Sequence, residues 1–383
     1  MGAAFRRGAP RLPVSPGGRI HAGAGTQRRV TLFNCFVMGT IEDSMDGIFD
    51  ALKEGALTMQ QGGGVGYDFS TLRPSGIAAR GGATIASGPV SFMHIWDAMC
   101  GTILSTGARR GAMMGTLRCD HPDIEAFVQA KTRTGALRNF NLSVLATDAF
   151  MTAVREDTEW PLIFPAPTHE PGTETVERVW PGRDAPQRCR VFRRIRARAL
   201  WNAIMRATYE CAEPGVIFID RVQRADNLSY CETISATNPC GEIPLPPYGA
   251  CDLGSVNLSR FVSQPFSPDA ALDLRAIAAT AAIAVRMLDN VYEISNFPLD
   301  RQREVAHASR RIGLGITGLA DALAMLGVRY DSARAREIGG QAMQTICHAA
   351  YRASIALARE KGSFPLFRRD EYTEAPSSRV CLK

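Results

Sequence analysis

Helix-like segments alternate with short apolar segments along this chain, and this pattern limits the folds that the chain can adopt. The helix-like segments carry apolar residues at helical spacing and follow residues suited to helix capping. They run from Asp43 or Ser44 to Leu57 and over Pro122–Lys131, Ala197–Cys211, Leu272–Tyr292 and Ser332–Lys361. The apolar segments are predicted strands at Val30–Met38, Leu142–Leu145, Leu162–Phe164, Val216–Ile219 and Ser255–Leu258. Helices alternating with fully apolar strands predict an α/β fold, either a barrel or an open sheet.

Composition excludes several classes of protein. The chain has 383 residues, 45% of them hydrophobic, and a net charge of +6, which is typical of a globular protein with two ordinary domains or one large one. The longest apolar stretch, Ala276–Val285, is shorter than the roughly 18 residues that a membrane span needs, so we expect no membrane association. A nucleic-acid binder would usually carry a denser basic stripe, so we expect no nucleic-acid partner.

Cysteine usage indicates the compartment. Ten cysteines are spread along the chain without a CxxC pair, and no secretory signal precedes them. This pattern is typical of a reducing, cytoplasmic environment. No cysteine or histidine arrangement has the spacing of a zinc site, so we predict no metal site.

Two glycine-containing segments suit an anionic ligand. The segment Gln60–Gly66 lets backbone amides approach a phosphate or a sugar, although it matches neither the P-loop nor the dinucleotide-binding motif. The segment Ser105–Gly111 places Arg109 and Arg110 on a flexible backbone. For each segment an ordinary turn explains the sequence equally well. The proline-rich stretch Pro165–Gln187 is predicted to be a surface insertion.

The most unusual segment is Thr237–Pro247, with the sequence TNPCGEIPLPP. Asn238, Cys240 and Glu242 occupy alternating positions, so in an extended loop their three side chains face the same side. A cysteine placed in this way can be a nucleophile, a metal ligand, a redox partner or a radical carrier, and the carboxylate can move protons. A buried structural cysteine in a proline-rich turn is the alternative.

Further motifs accompany this segment in the order found in a known family. They are Asn34–Val37, Tyr67–Pro74, Arg109–Ala112, Cys119–Asp123, Arg138–Ser143, Glu213–Phe218 and Gly249–Leu258. With these motifs the chain resembles the catalytic barrel of ribonucleotide reductase, most closely the adenosylcobalamin-dependent class II enzymes. The resemblance implies a ten-stranded α/β barrel with a central finger loop. It also implies an oxidoreductase that reduces ribonucleotides to deoxyribonucleotides, the precursors of DNA.

The resemblance implies catalytic roles for five residues. Cys240 matches the cysteine that becomes a thiyl radical, initiated by adenosylcobalamin, and abstracts the 3′ hydrogen of the substrate. Asn238 would bind the sugar, and Glu242 would accept the 3′-hydroxyl proton as the 2′ hydroxyl leaves as water. Cys35 and Cys251 match the dithiol pair that supplies two electrons and closes into a disulfide.

Binding residues and partners follow from the same resemblance. The implied substrate-binding residues are Gly64, Asn34, Asn238 and Glu242. The implied effector residues are Asp43, Arg73 and Arg109, which would bind an allosteric deoxynucleotide at the interface of a homodimer and relay its identity. The expected substrates are ribonucleoside di- or triphosphates, and the expected reductant is a thioredoxin-like protein or a small dithiol.

The family's regions before the barrel, its late barrel strands and its cysteine-bearing tail have no counterpart in this chain. The chain therefore resembles a reductase truncated at both ends. We expect a loop-rich leading segment at residues 1–29 and the first half of a catalytic barrel, with the finger loop, at residues 30–260. The start of an incomplete second half follows at residues 261–383.

Two other interpretations stay open. The chain can be the large subunit of a reductase that receives its radical from an iron or manganese protein, although the sequence Pro239-Cys240-Gly241 favours the cobalamin type. It can also be a truncated, non-catalytic remnant that keeps Asp43 and Arg73 to bind nucleotides. The presence of all five implied catalytic residues weighs against such a remnant.

Overall fold

Helices alternate with the strands of the main parallel sheet in the described part of the chain. A computed structural model describes residues 13–77, 85–103, 111–132, 135–166, 172–183 and 185–374. Within those ranges the strands are β1 (Val14–Pro16), β2 (Cys35–Val37), β3 (Gly64–Asp68), β4 (Met113–Arg118), β5 (Phe140–Ala146), β6 (Glu159–Pro165), β7 (Thr175–Val179), β8 (Pro186–Arg196), β9 (Gly215–Phe218), β10 (Ala236–Thr237), β11 (Pro244–Leu245), β12 (Ala250–Asn257), β13 (Val262–Ser263), β14 (Ala271–Leu272) and β15 (Ile312–Thr317).

The helices have the following bounds. In the same part of the chain they are α1 (Gly18–Gly23), α2 (Met45–Gln60), α3 (Pro89–Thr102), α4 (Ile124–Val128), α5 (Asp148–Glu156), α6 (Ala197–Cys211), α7 (Ile219–Ala225), α8 (Leu274–Ile294), α9 (Asp300–Ser309), α10 (Leu319–Met325), α11 (Ala333–Lys361) and α12 (Arg369–Glu374). A short 3-10 helix covers Leu258–Phe261.

The chain forms two compact units, which we name for their order in the sequence. The central unit comprises Cys35–Gly249 and Pro298–Gln302. The flanking unit comprises the described residues up to Asn34, then Ala250–Phe297, and those from Arg303 onward.

The central unit is built on five parallel strands in the order β2-β3-β4-β5-β9. Their side chains are largely buried, and Phe36, Val65 and Val144 are fully buried. Parallel strands covered on both faces read as continuous apolar runs, which explains why the sequence predicted several of them.

The antiparallel hairpin formed by β10 and β11 packs against this sheet. Ala236 and Leu245 of the hairpin form an apolar cluster with Val37 of β2, and Ile243 packs against the cluster. The approach to β3 is closer still, because a Cβ added at Gly66 would lie 1.8 Å from the backbone oxygen of Thr237. Only glycine at this position lets the hairpin sit on the sheet.

A three-stranded antiparallel sheet in the order β6-β8-β7 belongs to the central unit as well. It contains its own small core around Trp180, Cys189 and Phe164. Part of this sheet lies in the stretch that the sequence predicted to be a surface insertion. Residues 167–171 and 184 of that stretch lie outside the described residues.

In the flanking unit β12 pairs with β1 in antiparallel fashion and with β15 in parallel, and β13 and β14 form a separate antiparallel pair. Helices α8 and α11 supply half of the buried residues of its main apolar cluster. Val256, Ile277 and Ile346 are among the buried residues of this cluster.

The predicted elements agree with the structure most closely for the long helices. The bounds of α6 are those predicted, and α11 begins one residue later than predicted. The prediction for Pro122–Lys131 was too long, because α4 covers only Ile124–Val128. The backbone amide of Asp123 donates to Nδ1 of His121 at 3.0 Å, so residues 121–123 form a turn before the helix.

The predicted strand Val30–Met38 was also too long, since β2 covers only Cys35–Val37. The amide of Leu32 donates to the hydroxyl of Ser295, and that of Phe33 donates to the hydroxyl of Thr31. These amides bond to side chains instead of to a neighbouring strand. Within residues 13–29, which the sequence predicted to be loop-rich, the structure has β1 and α1.

None of the helices in the described residues is both long enough and apolar enough to cross a bilayer.

The substitution Gly66→Ala tests the packing of the hairpin on the sheet. A methyl group cannot fit beside the backbone oxygen of Thr237, so we expect a loss of about 2 kcal/mol or more in the free energy of unfolding. Urea unfolding measures this value. Gly340→Ala is the control, because Gly340 lies in α11 with no atom within 4 Å of an added Cβ, and this change should stabilise the helix by about 0.5–1 kcal/mol. A Gly66→Ala variant as stable as the unsubstituted protein would contradict the packing.

Candidate active site

The loop that joins β10 to β11 carries the three residues singled out from the sequence. Ala236 pairs with Leu245 and Thr237 with Pro244, which leaves residues 238–243 as the loop. The amide of Gly241 donates to the carbonyl of Asn238 at 3.0 Å, which closes a tight turn. Gly241 adopts φ +84°, a left-handed conformation that favours glycine.

This turn differs from the extended loop expected from the sequence. Asn238 is 1% exposed, whereas Cys240 and Glu242 are exposed. The three side chains therefore do not share one environment. The tight turn at residues 238–241 breaks the period of two on which that expectation depended.

Asn238 is held by contacts at both ends of its side-chain amide. Its Oδ1 accepts a hydrogen bond from the amide of Ile243 at 3.0 Å, which spans the loop. Its Nδ2 donates to Sγ of Cys35 at 3.3 Å. The amide of Asn238 therefore fixes the loop to the first strand of the parallel sheet.

Cys35 is the point where three other predicted site residues, Asn238, Glu242 and Gly64, come together. Its sulfur lies 3.9 Å from Oε1 of Glu242, in addition to its contact with Asn238. Gly64 is its partner in the parallel register between β2 and β3. Cys35 is 5% exposed. The structure thus brings a thiol, an amide and a carboxylate together although more than 200 residues separate Cys35 from the loop.

Cys240 lies in the turn of the loop as an exposed, free thiol. The preceding peptide is held from the sheet, because Nδ2 of Asn141 on β5 donates to the carbonyl of Pro239 at 2.6 Å. An exposed thiol beside an anchored backbone is accessible to a ligand without rearrangement of the loop.

Two predicted site residues lie in the flanking unit. Cys251 is buried in β12 and its thiol donates to the carbonyl of Asp252 at 3.3 Å. Oδ1 of Asn34 accepts a hydrogen bond from the amide of Arg19 at the start of α1, at 3.0 Å. The pairing of Cys35 with Cys251 and the binding role of Asn34 stay predictions.

Two of the three predicted effector residues are in contact. Nε of Arg73 donates to Oδ2 of Asp43 at 2.8 Å, and the amide of Arg73 donates to Oδ1 of the same carboxylate at 3.1 Å. The pair lies just before α2, whose N-cap is Ser44. The third residue, Arg109, lies outside the described residues.

Comparison with known families shows which family the chain belongs to. Residues 33–378 match the family described as ribonucleotide reductase, barrel domain. The chain belongs to this family. The match confirms the resemblance seen in the sequence and the expected α/β barrel fold class.

Relatives of the reductase family match most of the chain. A protein of Mycobacterium tuberculosis is 41% identical over 88% of the chain, and one of Thermoplasma acidophilum is 38% identical over 88%. Both are named vitamin B12-dependent ribonucleoside-diphosphate reductase. A monkeypox virus protein named ribonucleoside-diphosphate reductase large subunit is 30% identical over 90% of the chain. The chain spans 45%, 41% and 45% of the length of these three relatives.

Sequence reasoning gave no role to Asn141 or Asp252. Asn141 is, with Ser143, one of two polar residues in the largely apolar strand β5, and that interruption is a signal that could have marked it. Asp252 is 1% exposed, and neither of its carboxylate oxygens has a hydrogen-bond partner among the described residues. Burial, with a smaller contribution from the nearby Asp289, raises the pKa of Asp252 to about 8 against the opposing effects of its own backbone amide and of Arg310. The carboxyl therefore keeps its proton at neutral pH.

The substitution Asp252→Asn tests this protonation. An unfolded aspartate ionises near pH 4, whereas folded Asp252 ionises at about pH 8, so its contribution to stability is fully present below pH 4 and is lost as the pH rises. Asparagine does not ionise. We therefore expect the stability of the variant relative to the unsubstituted protein to increase between pH 5 and pH 8, by on the order of 3 kcal/mol.

Urea unfolding at pH 5, 6.5 and 8 measures this change. Asp269→Asn, at an exposed position of the same unit, is the control. A gain for Asp252→Asn that is equal at all three pH values would contradict a protonated, buried carboxyl.

Proposed function

We propose that this chain is the catalytic part of an adenosylcobalamin-dependent ribonucleotide reductase, an oxidoreductase that makes deoxyribonucleotides by a thiyl-radical mechanism. One observation carries the proposal. Cys35, Asn238 and Glu242 converge within 4 Å at the loop that presents the exposed thiol of Cys240. These are the groups that removal of a 2′ hydroxyl requires: a radical carrier, a proton acceptor, a sugar ligand and a reducing thiol.

Cys240 carries the radical in this proposal. Its thiyl form takes the 3′ hydrogen of the ribose and returns a hydrogen to the same carbon at the end of the cycle. The exposed thiol meets the substrate directly, while the hydrogen bond from Asn141 to Pro239 limits movement of the turn. A reacting atom has to be held in position, because a displacement of 1 Å can cost about 100-fold in rate.

Glu242 and Asn238 act on the hydroxyl groups of the ribose. Glu242 accepts the proton of the 3′ hydroxyl, and its exposure lets it reach the substrate. Asn238 and Gly64 both adjoin Cys35, one by hydrogen bond and one by strand register, so they suit contacts with the same sugar.

Cys35 and Cys251 supply the reducing equivalents. In the balanced reaction one ribonucleotide and two thiols give one deoxyribonucleotide, one water and one disulfide. The two thiols lose two electrons and two protons, and the 2′ hydroxyl leaves as water. A thioredoxin-like protein or a small dithiol then reduces the disulfide by thiol–disulfide exchange. The cysteine content of the chain suits a reducing, cytoplasmic setting for this exchange.

The residues at the loop fit an adenosylcobalamin cofactor. When bound, the cofactor supplies the initiating radical by homolysis of its cobalt–carbon bond. Cys240 is the residue that would receive it, and the exposed Gly241 beside it leaves the approach unobstructed by a side chain. The two relatives with 38–41% identity are named vitamin B12-dependent, which supports this cofactor over a separate iron or manganese subunit.

The region around α2 is suited to bind an allosteric deoxynucleotide. A cavity of about 280 Å³ is lined by Lys53, Ala56, Leu57, Gln60 and Ile103. Ile103 lies two residues before the segment Ser105–Gly111, which contains Arg109. Lys53 provides a positive charge for a phosphate, and the Asp43–Arg73 ion pair lies just before the same helix.

A second copy of this chain suits the exposed face of α2. Met45, Phe49 and Leu57 are 59%, 47% and 39% exposed and recur at helical spacing.

Phe49→Asp should therefore weaken a homodimer, as measured by sedimentation of the protein over a range of concentrations. Tyr209→Asp is the control, since Tyr209 is 92% exposed on α6 and should not affect association. An unchanged association constant for Phe49→Asp would exclude this face as the interface.

The substitution Cys240→Ala tests the proposed reaction. Without the thiol no radical can be passed to the substrate, so we expect deoxynucleotide formation to fall to the background level. The assay contains adenosylcobalamin, a dithiol and ribonucleoside di- or triphosphates, which also identifies the substrate class. Cys35→Ala should abolish turnover too, but it should still permit homolysis of the cofactor. The visible absorption of the cofactor measures this homolysis.

Cys231→Ala is the matched control, because Cys231 is exposed and lies nine residues before Cys240 in the sequence. Turnover retained by Cys240→Ala would show that the radical assignment is wrong. Turnover that needs an iron or manganese protein and not adenosylcobalamin would instead identify the large-subunit type.

A further inference from the structure

Tyr248 occupies a constrained position between the hairpin and strand β12. It follows Pro246 and Pro247 and has φ +62°, a conformation that non-glycine residues rarely adopt. The amide of Gly249 donates to the carbonyl of Pro246 at 2.9 Å, which closes a turn around Tyr248. The carbonyl of Gly249 then accepts from the amide of Val37 at 2.9 Å. This segment therefore ties the end of β11 to strand β2.

The side chain of Tyr248 lies between two charged residues from distant parts of the central unit. Its hydroxyl donates to the carboxylate of Glu54 on α2, with oxygen–oxygen distances of 3.1 and 3.4 Å. Arg301 lies over the ring at 4.9 Å from the centroid, and its Nη1 donates to the hydroxyl at 3.3 Å. Burial and then the charge of Glu54 raise the pKa of Tyr248, so the hydroxyl keeps its proton and remains a donor.

The ring also fills the space beside Gly39. A Cβ at Gly39 would lie 2.3 Å from the ring, so glycine is required for the tyrosine to fit. Gly39 comes two residues after β2, the strand that begins at Cys35. Tyr248 therefore contacts both the segment after β2 and the helix α2.

A second contact holds helix α9 against helix α2. Nε2 of Gln302, next to Arg301 in α9, donates to the hydroxyl of Thr58 at 3.0 Å. Thr58 lies one helical turn beyond Glu54 in α2, and both Thr58 and Gln302 are fully buried. The helix that carries Glu54 is thus a fixed support and not a loose surface element.

We propose that Tyr248 is a positioning residue for Cys240. It anchors residues 244–248, the C-terminal leg of the hairpin, to Glu54 of α2 and to Arg301. The catalytic consequence rests on the proposed function of Cys240. The structural consequence does not, because it concerns only how firmly the hairpin is held.

The energetics suit this role. A hydrogen bond to a charged group is stronger than a neutral one, and a guanidinium over an aromatic ring adds to it. The two residues of β11 and then two prolines connect loop residues 238–243 to Tyr248. The prolines stiffen this connection, because proline fixes its own φ angle. Removing the hydroxyl of Tyr248 should free the leg without removing the ring that fills the space at Gly39.

The test uses Tyr248→Phe and two readouts. The first is backbone hydrogen exchange of a peptide covering residues 236–249, measured by mass spectrometry on the whole chain. We expect exchange in this peptide to be several-fold faster in the variant, since local opening controls exchange. The second readout is turnover, for which we expect kcat to fall about 10-fold while KM stays unchanged, because substrate contacts are kept and the position of the thiol is lost.

Three variants separate positioning from a general loss of stability. Glu54→Gln keeps an acceptor oxygen and should retain most of the wild-type exchange and kcat, whereas Glu54→Ala should reproduce the effects of Tyr248→Phe. Tyr209→Phe, at an exposed position on α6, should change neither readout. Equal effects of Glu54→Gln and Glu54→Ala would overturn the proposal.

The two readouts also distinguish this proposal from the proposed function. Faster exchange in residues 236–249 supports the fastening role even if the chain shows no reductase activity. Unchanged exchange in Tyr248→Phe overturns it whatever the activity. Faster exchange with an unchanged kcat in an active reductase would overturn the positioning of Cys240.

Discussion

At Gly66 the backbone oxygen of Thr237 comes so close to strand β3 that no side chain fits between them. The site depends on this close approach, because it places the loop after Thr237 beside the N-terminal end of β2. There, Asn238 reaches the sulfur of Cys35 and Glu242 lies close to the same sulfur. A methyl group on β3 would push all of these groups away together. A single steric constraint in the sheet therefore sets the position of the whole reactive loop.

The loop combines a rigid backbone with exposed reactive groups. Its carbonyl at Pro239 and its amide at Ile243 are both bound by asparagine side chains, Asn141 and Asn238. Neutral amides suit this role, because they hold the loop without adding a charge next to Cys240 and Glu242. Beyond the hairpin, Tyr248 adds a charged fastening to helix α2. The exposed groups are thus free to meet a substrate while the peptide that carries them is held at several points.

Sequence reasoning predicted the bounds of long helices but missed the shape and the long-range contacts of the site, for physical reasons. The bounds of α6 and α11 followed from apolar periodicity, which is a local property of the sequence. The motif at residues 238–242 was recognised, but its shape was not, because the left-handed glycine at 241 turns a loop that alternation alone predicts to be extended. Local patterns also gave no sign of the contact between Tyr248 and Glu54, which are 194 residues apart in the sequence. The contact of Cys35 with Asn238 spans 203 residues, and only the family resemblance placed both residues in one site.

Isotopic substitution at the 3′ carbon of the substrate tests whether the thiyl form of Cys240 removes the 3′ hydrogen. If the thiyl form of Cys240 removes the 3′ hydrogen, a ribonucleotide with deuterium at that carbon should react several-fold more slowly in competition with the unlabelled one. The deuterium should still be present at the 3′ carbon of the product, since the same thiol returns it. Equal rates for the two substrates, or product that has lost its 3′ deuterium to solvent, would show that Cys240 does not remove and return the 3′ hydrogen.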